Sequence, residues 1–234
     1  MPAVFLLRRT RSALLAAQRA LFDEAERGRA ERWTCVGASD LLYEALPRIA
    51  ELGPDLIATD LRLTDGHALT LLRRLPLRRR PPVLLLTAVG DDPLLFDALA
   101  AGAQGYWQDP GQARGLAAAL HDCAAGAARM SPALARQALL ALGLPRSEPQ
   151  LAHNVAAGQD LAPAAAGLAR SEQHLLTLVA QGLLDGEIAQ RWQLDPLEIG
   201  RRLAAVYAAL HRLSAAAAAA AMPQAAGGAV SMKL

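Results

Sequence analysis

The chain has 234 residues, 53% of them hydrophobic and only 4% aromatic, with a formal net charge of +2 in which Lys233 is the single lysine. That length suits one large domain or two ordinary ones, and the Leu- and Ala-rich composition points to a soluble, helix-rich globular protein. So small a net charge rules out reading a nucleic-acid partner from charge alone, and its distribution agrees: residues 1–125 hold 15 Arg against 15 acids, residues 168–213 five against five.

The N-terminus, MPAVFLLRRTRSALL, brings Arg8 and Arg9 in after a very short apolar segment. No signal peptide is expected, nor any membrane segment, because no apolar run reaches the roughly 18 residues a spanning helix needs; the chain is placed in the cytoplasm. Cys35 and Cys123 lie without metal-site spacing and read as packed thiols. The five histidines are scattered, and no nucleophile, base and orienting group stand together, so an enzyme is not expected.

Strand-length apolar runs at 3–7, 33–38, 55–60, 82–88 and 103–107 alternate with amphipathic stretches beginning near Arg11, Leu41, His67, Asp92 and Gln112. Five strands separated by helices predict a doubly wound parallel sheet covered on both faces. Functional groups of such sheets gather at the carboxyl ends of the strands, where Asp60 and Thr87 fall. A looser segment, 126–165, reads as a linker with a short helix and bounds a first domain at 1–125.

Residues 166–222 form an all-helical second domain. Leu175, Leu176 and Val179 mark one inner face, closed by Gly182. Asp185 offers an N-cap for a short second helix, and DPLE opens a third: Asp195 as cap, Pro196 at the first position, Glu198 completing a capping box. Ile199, Leu203, Val206 and Leu210 then face inward, while Leu197, Gly200, Arg201, Ala204 and Ala208 face outward, in the manner of a helix-turn-helix. The alanine run after Ser214, itself a candidate cap, favours a further helix, and residues 223–234 read as a disordered tail.

PDLIATDLRLTDGHALTLLRRL, PVLLLTA and AGAQGYW, in this order, resemble a response-regulator receiver domain of flavodoxin-like fold. LARSEQHLLTLVAQGLLDGEIAQRWQLDPLEIGRRLAAVYAALHRL is similar to the LuxR-type helix-turn-helix of the NarL/FixJ response regulators. The resemblance implies a regulator that binds double-stranded promoter DNA, with Asp60 as phosphoacceptor and Thr87 and Tyr106 as switch residues. A sensor kinase or second regulator is the implied partner, and a homodimer the implied assembly.

Two departures bear on the chemistry. Arg8 and Arg9 stand where the family has the acidic pair that holds Mg²⁺, and Asp109, or Gln108 in a shifted register, stands where it has a lysine. No cofactor is therefore expected, and Mg²⁺ binding is doubtful. Asp60 paired with Arg8 or Arg9 would lock the domain in one state, and either arginine could instead act as a metal substitute. In the second domain Arg170, Arg191, Leu197, Glu198, Arg201 and Arg202 are the candidate DNA contacts. Glu198 and Gly200 replace residues that favour phosphate contact, so an interaction module that has lost specific DNA recognition is the other reading.

Overall fold

The structure is a computed structural model, and it describes residues 1–26, 33–76, 80–90, 92–109, 111, 113–145 and 167–221. Five parallel strands, β1 (Ala3–Leu7), β2 (Thr34–Ser39), β3 (Leu56–Asp60), β6 (Val83–Thr87) and β7 (Gly105–Gln108), lie in the order β2-β1-β3-β6-β7. A short antiparallel pair, β4 (Arg62–Leu63) and β5 (Gly66–His67), follows β3 and was not legible as strands, because two residues carry no periodicity.

Alternation along the strands builds two cores. Val4, Leu6, Leu56, Ala58, Leu84 and Leu86 pack with helices α1 (Arg11–Glu26) and α5 (Leu116–Ala124). Phe5, Leu7, Ile57, Val83 and Leu85 pack on the other face with α2 (Leu42–Leu52), α3 (Ala68–Arg74) and α4 (Pro93–Ala100). This second core does not stop at the sheet. It continues through Met130 and α6 (Pro132–Ala141) into α7 (Arg170–Gln181), α8 (Asp185–Trp192) and α9 (Pro196–Ala221), so the two modules share one apolar cluster.

Several local expectations are corrected. Asp185 is the first residue of α8, and the free N–H of Leu184 is instead met by the Glu187 carboxylate at 2.8 Å, as Glu172 meets that of Ala169 ahead of α7. Asp195 does cap α9, accepting from the Leu197 N–H at 2.7 Å, but Glu198 turns along the helix to Arg202 rather than back to the cap. Ser214 lies inside α9, which runs on through the alanines, as their propensity favours. The tail beyond Ala221 and the linker loop 146–166 lie outside the described residues.

By length and composition alone α9 is long and apolar enough over Pro196–Ala220 to cross a membrane, although Arg212 interrupts the apolar run and no uncharged stretch within the helix reaches about 18 residues. Ile199, Leu203, Val206 and Leu210 are the inner face of the helical module, and the alanines at 215–220 are exposed.

Candidate functional site

The strand order brings the ends of β1, β3, β6 and β7 to one edge, where Arg8, Asp60, Thr87 and Asp109 meet. Arg8 is 5% exposed. Its Nε donates to Asp60 Oδ2 at 3.0 Å and its Nη2 to Asp109 Oδ2 at 2.7 Å, so one guanidinium bridges two carboxylates. The backbone N–H of Arg9 adds a third donor, 2.5 Å from Asp60 Oδ2. Asp109 is fixed from behind by the N–H groups of Gly111 and Ala113 on its Oδ1, at 2.8 and 3.2 Å. Of the two arginines, then, the side chain of Arg8 and only the backbone of Arg9 are shown on Asp60; of the two registers, Asp109 is the partner and Gln108 ends the strand.

Burial lifts the Asp60 carboxyl above its ordinary value and outweighs the lowering pull of the Arg8 charge, the Arg9 N–H and the Arg8 hydrogen bond; the Asp109 charge adds to the rise. One cation is thus shared by two half-buried acids. Arg8 Nη1 is buried and finds no hydrogen-bond partner among the described residues. A cavity of about 210 Å³ adjoins the cluster, walled also by Ala13, Ala16 and Thr87.

This donor set does not fit a divalent cation. Mg²⁺ takes oxygen ligands in an octahedron, whereas the two carboxylates here are joined through a guanidinium.

The switch-like residues are engaged elsewhere. The Thr87 hydroxyl donates to the Val89 carbonyl at 2.8 Å and accepts from the Val89 N–H at 3.2 Å, turning toward its own loop. Tyr106 is half-buried, which raises its phenol pKa, and hydrogen bonds with Ser131 partly offset the rise. Ser131 caps α6, so Tyr106 ties the sheet to the segment entering the helical module.

Sequence reasoning missed two supports. Arg62 makes a bidentate pair with Asp92, the N-cap of α4, at 2.9 and 3.0 Å, and so fastens the loop after Asp60 to the loop after Thr87. The Asp65 carboxylate accepts from the Leu42 and Tyr43 N–H groups at the start of α2, at 2.8 and 3.1 Å. Asp92 before Pro93 is a local capping signal, but its 30-residue separation from Arg62 leaves no sequence trace of the pair.

In the helical module Arg170 and Arg191 are exposed, and Arg201 is 54% exposed. Arg202 is less free: it pairs with Glu198 at 3.2 Å, and its guanidinium lies 5.9 Å from the centre of the Trp192 ring. The expected outward face of α9 is only partly open. Leu197 and Ala208 are half-buried, and Gly200 is buried against Ala127 and Ala128, its carbonyl accepting from the Ala128 N–H at 2.9 Å. A Cβ at position 200 would stand 2.9 Å from that of Ala127, so the glycine permits the close approach. The Tyr207 hydroxyl, donating to Arg129 O at 2.6 Å, and His211 Nε2, 3.2 Å from Ala103 O, extend the contact along the helix.

Residues 25–121 match the response regulator receiver domain family. The match leaves out β1 and Arg8, which follows it. The DNA-binding transcriptional activator DevR/DosR of Mycobacterium tuberculosis is 32% identical over 158 residues, covering 67% of this chain and 66% of its own. The transcriptional regulatory protein YdfI of Bacillus subtilis is 26% identical over 76 residues, covering 32% and 36%. The chain thus spans just under two thirds of the one relative's length and about a third of the other's. Among solved structures, the receiver domain of the putative response regulator NarL of M. tuberculosis aligns over 53% of this chain and 95% of its own, with 25% identity and a TM-score of 0.45. The response regulator RcsB of Salmonella typhimurium aligns over 94% and 100%, with 16% identity and a TM-score of 0.48. Over residues 25–121 the chain is thus similar to receiver domains, and over 158 residues it is similar to a DNA-binding transcriptional activator.

Proposed function

We propose that the chain is a DNA-binding transcriptional regulator whose receiver is held by Arg8 and is not switched by Mg²⁺-dependent phosphorylation of Asp60. The carrying observation is the single guanidinium that bridges Asp60 and Asp109. Phosphoryl transfer to a carboxylate depends on a cation free to neutralise the incoming oxygens. Here the cation at hand is already shared by two acids, and the Asp60 oxygen it holds is also bound by the Arg9 N–H. A phosphoryl group would have to break a buried ion pair before finding any compensation. The regulator acts in the cytoplasm on double-stranded promoter DNA, as a homodimer, with another regulator or a sensor kinase as its protein partner; it is not an enzyme and needs no cofactor.

DNA contact is assigned to Arg170, Arg191, Arg201 and Arg202, with Leu197 at the reading helix and Glu198 as an opposing charge. A second reading, an interaction module without specific DNA recognition, is favoured by the burial of Gly200 on the face that would meet the groove.

Two measurements test the proposal. Purified protein exposed to acetyl phosphate and Mg²⁺ should take up no phosphoryl group; uptake that disappears with Asp60→Asn would overturn the receiver half. Selection from a genomic duplex library should enrich one sequence at physiological salt and lose it with Arg201→Ala/Arg202→Ala. Binding without enrichment would move the assignment to the interaction module.

A further inference from the structure

Where α9 passes the receiver it does not seal against it. A cleft of about 740 Å³ separates the end of α3 and the end of α4 from the face of α9 that carries His211, Ser214, Ala215 and Ala218. Its size falls within the roughly 300–1,000 Å³ of small-molecule sites, and junctions between domains are favoured places for them.

The charge within it is unbalanced. Arg80 lies at the receiver wall, its Nη1 donating to Ala101 O at 3.0 Å and its Nη2 to Leu75 O at 3.3 Å and to Leu72 O. All these partners are carbonyls, and Nε is buried with no partner among the described residues. Burial pulls the guanidinium below its usual pKa, as expected for a half-buried cation bonded to neutral carbonyls among the described residues. The exposed Arg73 shares the cleft, and Asp97 is the one acid that lines it among the described residues. Leu69 on one side and Ala215 and Ala218 on the other add an apolar surface.

We propose that this cleft binds a small monocarboxylic acid with an apolar body, its carboxylate drawn by Arg73 and Arg80 and its body laid between Leu69 and the alanine face of α9. The positive side matches the carboxylate, and the apolar walls match the chain it carries. One wall belongs to the receiver and the other to α9, so the bound acid holds the two modules in the arrangement described here. The site is independent of how Asp60 is used and of whether α9 reads DNA.

The test is calorimetric titration of the full-length protein with octanoate, with octanol and inorganic phosphate as separate probes. Octanoate should bind saturably and neither control should match it. Arg73→Gln should weaken octanoate by about tenfold or more, the worth of one hydrogen bond to a charged group. Ala215→Trp, on an exposed helix face, should fill the cleft and abolish binding while circular dichroism and Tm stay at wild-type values. Arg80 is left intact because it holds the ends of α3 and α4. Absence of saturable binding, an equal response to octanol, a phosphate response equal to that of octanoate, or unchanged affinity in both variants would each overturn the proposal. None of these outcomes bears on acetyl phosphate uptake or sequence enrichment, which are read separately.

Discussion

Replacing Arg8 by methionine removes the one cation that faces two acids while keeping most of the side-chain volume. The Arg8, Asp60 and Asp109 side chains are 6%, 15% and 10% exposed, so water from the adjoining cavity replaces the charge of the guanidinium only in part. Truncating one partner of a buried ion pair costs about 3–5 kcal/mol, because the charge left behind is uncompensated. Two carboxylates then face each other, and one takes up a proton. The Asp60 pKa, already raised in the native chain, rises further once the lowering pull of Arg8 is gone. A carboxyl whose folded pKa exceeds its unfolded value binds more protons when folded, so stability falls as pH rises through that window and returns as pH falls. The cost of Arg8→Met should therefore be greatest near neutral pH and shrink in mildly acidic buffer. Adding Asp60→Asn and Asp109→Asn to Arg8→Met removes the stranded charges, and should return stability to within about 2 kcal/mol of wild type, since buried ionic clusters are often replaceable as a whole. Urea unfolding followed by tryptophan fluorescence and circular dichroism at two pH values measures all of this. A loss below about 1 kcal/mol in the single variant, or a triple variant less stable than the single one, would refute the account of Arg8 as the compensating charge.

Two further outcomes are expected. Burial, aided by the charges of Arg80 and Arg212 and opposed by the carbonyls of Leu99 and Ala103, lowers the pKa of His211 from 6.5, so the docked helix carries it neutral. The docked state binds fewer protons, and its contact with Ala103 should weaken as pH falls from 6.5 through the lowered value. Hydrogen exchange along 127–130 should rise over that range in the wild type and stay flat in His211→Gln; a flat wild type would count against docking through a neutral imidazole. Glu198→Gln removes the acid that pairs with Arg202 and approaches Arg201, so duplex affinity should rise and its salt dependence steepen. The helix should lose little stability, since exposed pairs of this spacing contribute about 0.3–0.5 kcal/mol. Unchanged or weaker binding would remove Arg201 and Arg202 from the interface.

The continuous apolar run Val4–Leu7 and the capping residues around Pro196 are written in neighbouring positions, and the strands and α9 could be read from them. The burial of Gly200 could not, because it depends on Ala127, more than seventy residues earlier, arriving against α9. The receiver site fell between these cases. Read one at a time, Arg8 and Asp109 each look like a loss, the first of an acid that would hold a metal and the second of a cation that would hold phosphate. In the fold they stand 2.7 Å apart, 101 residues separated in sequence. The sequence left Arg8 and Arg9 equivalent, and the pleat distinguishes them: Leu7 points into the α2–α4 core, so Arg8 turns to the other face, where Asp60 and Asp109 wait, and only the backbone of Arg9 reaches Asp60. The β7 register pairs Gln108 with Thr87 and so places Asp109 just past the sheet edge, within reach of the same guanidinium. The two substitutions are therefore a single exchange of charge across the sheet edge. Either one alone would strand a charge at the sheet edge; together they hold one another and Asp60 in a single ion-paired cluster.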